Sequence, residues 1–360
     1  MRVMTKLLLS AAVGVMAWAG TAGAAELRQV GTISIPGEPL NSFDISYIDQ
    51  ATGMYYLADR SNKGIDIVDL KKGAWVGRAT GMVGFSGKND TSGPNGVVIA
   101  GKEAWVGDGD STIKVVDLKT MKIVDTIKTG GKNRADEIGY DPKDGVIAIA
   151  NADDDPPFLT FVSTKPGHKI LGKLEEPSFS DGMEQTAYNA ADGMFYTDIP
   201  EMDKDHAKGG LLVTNPKTAK QVKIIPVQGC VPHGIAFGPP GMVFLGCNAG
   251  NPRLGLPAKQ VVVDLKTGKQ IDIPDIGGSD ESAVNNKLGL YFGALNGNPG
   301  GPILAVIDAK KNTVLQKIPT GPGAHSVAAY EGNGRVYVPI AVEAGPLKGG
   351  CGCITVYGEN

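Results

Sequence analysis

The stretch from Pro94 to Gly130, P-N-G-V-V-I-A-G-K-E-A-W-V-G-D-G-D-S-T-I-K-V-V-D-L-K-T-M-K-I-V-D-T-I-K-T-G, decides the fold. It holds four short apolar runs, Gly96–Ala100, Glu103–Gly107, Thr112–Asp117 and Lys122–Lys128, with breaks rich in Gly, Asp, Ser and Lys. Runs this short with such small gaps predict an antiparallel four-stranded meander. One such sheet leaves both faces uncovered, so it needs copies of itself to stack against.

The copies are present. Ile67-Val68-Asp69-Leu70-Lys71, Val115-Val116-Asp117-Leu118-Lys119, Val262-Val263-Asp264-Leu265-Lys266 and Val306-Ile307-Asp308-Ala309-Lys310 repeat one strand and turn. Phe161–Lys165 and Leu212–Lys217 are degenerate versions. Second strands recur as Met54–Ala58, Ala104–Gly107, Met194–Thr197, Met242–Leu245, Leu290–Gly293 and Val336–Val338. Repeats begin near residues 39, 92, 133, 180, 228, 277 and 321. A period of about 40–50 residues with four strands per repeat predicts propeller blades. The expected fold is all-β: a seven-bladed β-propeller of four-stranded antiparallel blades. In its repeat order (Pro-x-Gly-apolar, an aromatic-containing strand, apolar-apolar-Asp, then a strand ending in Gly) the chain resembles the YVTN-type propellers over nearly its whole length. That resemblance implies fold and leaves function open, because propellers host enzymes, sensors and passive binders alike.

Residues 1–24 read as a cleaved signal peptide. Arg2 and Lys6 precede an apolar run, Leu7–Trp18, and Ala22-Gly23-Ala24 gives an A-x-A cleavage site. The run is too short to span a bilayer, so membrane insertion is not expected. The expected location is periplasmic or secreted. Residues 25–360 then form a single propeller domain of 336 residues, 48 per blade. Its 33 Lys and Arg against 38 Asp and Glu leave a net charge of −5, which argues against nucleic acid as a partner. Leu27–Pro36 matches the last strand of other blades, whereas the final repeat supplies only three strands before Ile354–Tyr357. The N-terminal strand is therefore expected to close the ring and remove a free sheet edge.

Most connections between second and third strands are long: Asn151–Phe158, Asp198–Gly210, Asn248–Lys259, Leu295–Pro302 and Ala341–Gly350. Long loops on one face of a rigid scaffold mark the working face, where a protein partner could also dock. Residues that start the inner strands on that face align as Asp44, Asn95, Asp136 (or Glu137), Glu184, His233, Glu281 and His325. Inner-strand starts converge on the axis, so these groups should meet at one mouth. Imidazoles with carboxylates form a divalent-metal set, with a transition metal favoured over Ca²⁺. The expected metal ligands are Glu184, His233, Glu281 and His325. Asp136 or Asp44 would serve as base, and Asn95, Glu137 and His206 would face substrate. The plainer alternative is a wet polar mouth with no ligand. Propeller lactonases hold a metal here with carboxylates and amides, and carotenoid oxygenases hold iron with four His; this chain matches neither set.

Two functions follow from those alternatives. One is an exported metal-dependent enzyme, of hydrolase, lactonase or lyase type, acting on a small organic ligand. The other is a non-catalytic binding or scaffold propeller. Asn151–Asp155 reads as a solvated acidic loop, since it lacks EF-hand spacing. His168 reads as surface on the far face. Cys230 and Cys247 sit on adjacent strands and should form a disulfide in an oxidising compartment. Cys351-Gly352-Cys353 reads as a strained bridge, a soft-metal pair or a loop staple.

Overall fold

A computed structural model describes residues 26–359; the signal-peptide reading of residues 1–24 lies outside them. In the stretch quoted above, strands Val97–Ala100, Glu103–Asp108, Thr112–Asp117 and Lys122–Lys128 pair in sequence order. Seven such four-stranded antiparallel sheets form the ring. Within each blade the strands are called A to D from the axis outward.

Two recurrent turns explain why the repeat reads as it does. Strand C ends on Asp69, Asp117, Asp264 and Asp308, whose carboxylates accept backbone N–H bonds two and three residues on. Examples are Lys71 N to Asp69 (3.0 Å) and Lys311 N to Asp308 (2.8 Å). The side chain thus closes the C–D turn that the backbone alone leaves open. Asn215 does the same in the degenerate copy, accepting from Lys217 N at 2.9 Å. At the opposite ends of the strands, each A–B turn carries a glycine in the left-handed region: Gly53, Gly101, Gly145, Gly193, Gly241, Gly289 and Gly334, with φ between +64° and +80°. A Cβ is disfavoured there, so glycine marks each blade once.

Alternation along strand B places the core between blades. Ala104 and Val106 join Tyr56, Ala58 and Ile67 of blade 1, whereas Trp105 joins Ile147, Ile149 and Val162 of blade 3. The last sheet runs Arg28–Ser34, Cys353–Gly358, Arg335–Ile340, Ala328–Tyr330. Its register pairs Arg28 with Gly358 and Ser34 with Cys353, so the N-terminal strand does close the ring. The loop of blade 7 folds on itself as a small hairpin, Glu343–Ala344 against Leu347–Lys348. Among the described residues no helix is long and apolar enough to cross a membrane.

His168 corrects the expectation of a plain surface residue. Its ring meets Trp105 edge-on at 4.8 Å and its Nδ1 lies 2.8 Å from Asp125, tying the C–D turn of blade 3 to blade 2. His168→Ala removes a partly buried ring and its hydrogen bond, a destabilisation of about 1–2 kcal/mol. A chemical-denaturation midpoint equal to that of the wild type would contradict this.

Candidate functional site

Backbone bonding identifies which residues are equivalent around the axis. Asp44, Asn95, Asp136 and Glu184 each donate their N–H to strand B of their own blade, at Ala58, Gly107, Ala150 and Asp198 (2.8–3.0 Å). The residue after each of them, Ile45, Gly96, Glu137 and Gln185, accepts from that strand in turn. In blade 6 it is Glu281 that accepts, from Ala294 N. Glu281 is thus the equivalent of Glu137, and Asp280 is the equivalent of Asp44. Across blades, Gly96 N donates to Asp136 O, Gln185 N to His233 O and Glu281 N to His325 O, which puts both histidines in the Asp44 layer. The mouth layer is Asp44, Asn95, Asp136, Glu184, His233, Asp280 and His325. One layer deeper lie Ile45, Gly96, Glu137, Gln185 and Glu281.

This differs by one residue from the sequence alignment of blade 6, and a slip of one flips a strand side chain to the other side. Glu281 does not join the histidines: its Oε2 accepts from Ser326 Oγ (2.5 Å) and Val327 N (3.0 Å). The carboxylate that does join is Asp280. Single ligand atoms of Glu184, His233 and Asp280 lie within 4.8 Å of one another. His233 Nδ1 is 3.6 Å from Glu184 Oε1 and 3.9 Å from Asp280 Oδ1, and its Nε2 is 3.4 Å from the Asn248 amide.

His325 is not brought into that group. Its Nδ1 sits 2.7 Å from the carbonyl of Gly323, its Nε2 faces Asp44 at 3.7 Å, and the ring stacks on Phe43 at 4.7 Å. Burial opposes its protonation, but Asp44 and Asp280 outweigh burial and raise its pKa. His206 is drawn away to Glu201, which also accepts from Ser180 at 2.6 Å.

The remaining half of the mouth is an ion-pair lattice that sequence reading missed. Arg60 bonds Asp44 and both reaches Asn95 Oδ1 (2.6 Å) and Asn89 Oδ1 (2.9 Å). Arg134 bonds Asp136 and Asp153, each at 2.7 Å. Asp153 belongs to the acidic loop expected to be solvated; it and Asp155 are exposed, yet Asp153 also anchors an arginine, and Asp154 accepts from Lys132 N at 2.8 Å. Burial pushes Asp44 upward, yet Arg60, His325 and Arg134 overcome it and hold the carboxyl at about 2. Asp136 goes the other way, well above the usual carboxylate range, because burial and the nearby Asp44 and Glu184 outweigh Arg134. Burial and Asp280 push Glu184 up to about 8. Burial lowers His233 despite the pull of Asp280.

These groups line a cavity of about 280 Å³ that also reaches Glu137 and Asn296. Behind His233, Cys230 is bridged to Cys247, with Cα atoms 4.7 Å apart, at the end of the strand that leads into Asn248. Cys351 and Cys353 are bridged to each other, so of the three readings the soft-metal pair is not the one seen.

Fold and closure define a seven-bladed β-propeller with an ionisable mouth. No family model matches the chain, and no curated protein matches it. Solved structures do. The hydrazine synthase of Kuenenia stuttgartiensis aligns with a TM-score of 0.70 at 12% identity, covering 89% of this chain and 96% of that one. The Pan2 WD40 domain of Neurospora crassa gives 0.65 at 10%, covering 93% and 96%. A structure of U3-55K gives 0.64 at 9%, covering 92% and 98%. At such identities the likeness establishes the fold alone.

Proposed function

We propose that the protein holds a divalent transition metal at Glu184, His233 and Asp280 and acts as a metal-dependent hydrolase or lyase on a small organic substrate in the mouth. The observation that carries this reading is the convergence of one imidazole and two carboxylates within 4.8 Å beside an open cavity. That donor set suits a first-row transition metal and leaves positions for substrate. Coordination through Nδ1 calls for a proton on Nε2. The Asn248 amide faces Nε2 through its Nδ2 at 3.4 Å and, turned to present its oxygen, would accept that proton's hydrogen bond.

A divalent ion there would polarise a carbonyl and make a water easier to deprotonate. Asp136 is the better-suited base of the two carboxylates expected from sequence. It lines the cavity, and burial with the nearby Asp44 and Glu184 raises its carboxyl despite the pairing with Arg134, whereas Asp44, paired with Arg60, is held near 2. The cavity, at about 280 Å³, lies just below the roughly 300–1,000 Å³ typical of ligand sites, which suits a small metabolite. Two disulfides fit the oxidising compartment that the leader-like N-terminus implies. The second reading, a non-catalytic binding propeller, is favoured by one feature: Arg60 and Arg134 are already consumed by Asp44, Asp136 and Asp153.

Protein purified without chelator should contain stoichiometric metal by elemental analysis. It should also turn over a member of a lactone or β-elimination substrate panel in a chelator-sensitive way. Asp136→Asn should keep the metal and lose the turnover. Protein that neither carries nor takes up metal sinks the enzyme reading. Metal without turnover of either class leaves the binding propeller.

A further inference from the structure

The axial channel holds a second chamber beneath the mouth. It has a volume of about 460 Å³ and runs along the inner strands from Glu137, Gln185 and Glu281 to Pro142 in an A–B turn, so it opens toward the far face. Its walls are aliphatic (Val98, Ile99, Ile138, Ala187) and aromatic (Tyr47, Tyr140, Tyr188).

Its floor is unusual in having acids and no base. Glu137 lines both chambers and is only 5% exposed, yet among the described residues no side chain or backbone group hydrogen-bonds or ion-pairs with its carboxyl. Glu281 lies in the same layer. No Lys, Arg or His lines the chamber. Several of the other polar groups are already engaged: Ser46 Oγ with Ser326 Oγ at 2.7 Å, Thr186 with Thr197 at 2.9 Å, the Gln185 side-chain oxygen as acceptor from Ile235 N, and Glu281 Oε2 as acceptor from Ser326 Oγ and Val327 N, which leaves its Oε1 to the chamber.

A buried carboxyl without a partner is costly, and the missing partner is a cation or a hydrogen-bond donor. An inorganic anion meets two acids and no cationic side chain here. A hard metal cation needs about six oxygen ligands, which these walls do not supply. A cation that brings its own apolar surface fits both parts: charge against the two carboxyls, alkyl groups against the aliphatic wall, and the tyrosines beside it. We propose that the far-face chamber binds a small organic cation, an alkyl-substituted ammonium, whose charge is taken by Glu137 and Glu281.

The test is calorimetric titration of the full chain with n-butylammonium, tetraethylammonium and the neutral n-pentanol. At least one ammonium should bind saturably, and the alcohol at least about tenfold more weakly. Glu137→Gln should weaken ammonium binding by at least about tenfold without lowering the melting temperature, because it removes a buried unpaired acid. Ala187→Phe, which fills the chamber from its wall and leaves the mouth alone, should abolish binding in a protein that still melts cooperatively. No saturable ammonium binding, equal affinity for the alcohol, or wild-type affinity in Glu137→Gln overturns the proposal. Retained affinity in a folded Ala187→Phe places the cation in the mouth instead and also overturns it.

Discussion

Deleting residues 26–36 is expected to abolish the single cooperative melt and to drive aggregation. The deleted strand contributes the outer edge of blade 7, pairing from Arg28–Gly358 to Ser34–Cys353. Most of its side chains face solvent, but Leu27 and Ile33 are buried at 3% and 5% exposure. Leu27 packs with Phe292 and Val338, and Ile33 with Leu57 and Ile354, so together they seal both sides of blade 7. Burying two such side chains is worth about 3–6 kcal/mol, against a net stability of about 5–15 kcal/mol for a typical domain. Leu27 also exchanges two bonds with Gln316 of blade 6, at 2.9 and 3.2 Å. What remains exposed is the edge of Cys353–Gly358, a fully buried strand and an open template for intermolecular pairing. Differential scanning calorimetry should show a broad or absent transition. A circular permutant that joins Gly358 to Arg28 by a short turn and opens the chain at Gly37 should melt like the intact protein. If the deletion melts normally, or the permutant fails as the deletion does, the closing strand is not what holds the ring.

Blade number was readable because each blade spends residues on the same backbone problems. The strand C aspartates close C–D turns, and the seven A–B glycines occupy a backbone region that other residues avoid. Both demands are local, so they survive in one-dimensional spacing. The mouth was readable only to within one residue. Asp280 and Glu281 are adjacent acids, and nothing in the apolar pattern of Ser282–Asn285 says which one precedes the strand by the right step. Backbone bonds decide it, because only Glu281 accepts from Ala294. A stricter alignment on the glycine of each A–B turn carries part of that signal. Gly193 and Gly289 both lie nine residues after their layer residues, Glu184 and Asp280.

Arg60 and Arg134 escaped for a different reason. Neither occupies the repeated slot: Arg60 follows strand B of blade 1, and Arg134 precedes Asp136 in a connection. Asp44 lies 16 residues from Arg60 and Asp153 lies 19 from Arg134, beyond any local pattern, and the nearer partner of Arg134, Asp136, does not by itself signal a pair. His168 misled because turn position suggests exposure, whereas its ring folds back onto Trp105 of the neighbouring blade. Contacts between blades are the part of this fold that repeat spacing does not encode.

His233→Ala and Asp280→Asn are each expected to lower metal affinity by more than about a hundredfold, since ligand loss exceeds the 10–100-fold typical of second-sphere changes. Glu281→Gln and His325→Ala should leave affinity near that of the wild type. Glu281 is turned to Ser326 and Val327 one layer down, and His325 is turned to Gly323 and Asp44. Sequence alignment alone groups His325 and Glu281 with His233, so these variants separate the two ligand sets. The pH dependence makes a second separation. Burial and Asp280 raise Glu184 to about 8, and a metal binds only its ionised form. Protons therefore compete below that value, and affinity should fall about tenfold for each pH unit below 8, levelling off above it. Burial lowers His233, so its imidazole competes with protons less than an ordinary histidine would. Glu184→Gln should bind more weakly and lose the slope between pH 6 and 8. Isothermal titration with Zn²⁺ or Mn²⁺ across that range, in buffers of different ionisation enthalpy, reads both affinity and protons released. If affinity instead turns over near 6.5, the unperturbed histidine value, and does so equally in Glu184→Gln, then the cation is held by other groups and the Glu184–His233–Asp280 set is an ordinary polar lining.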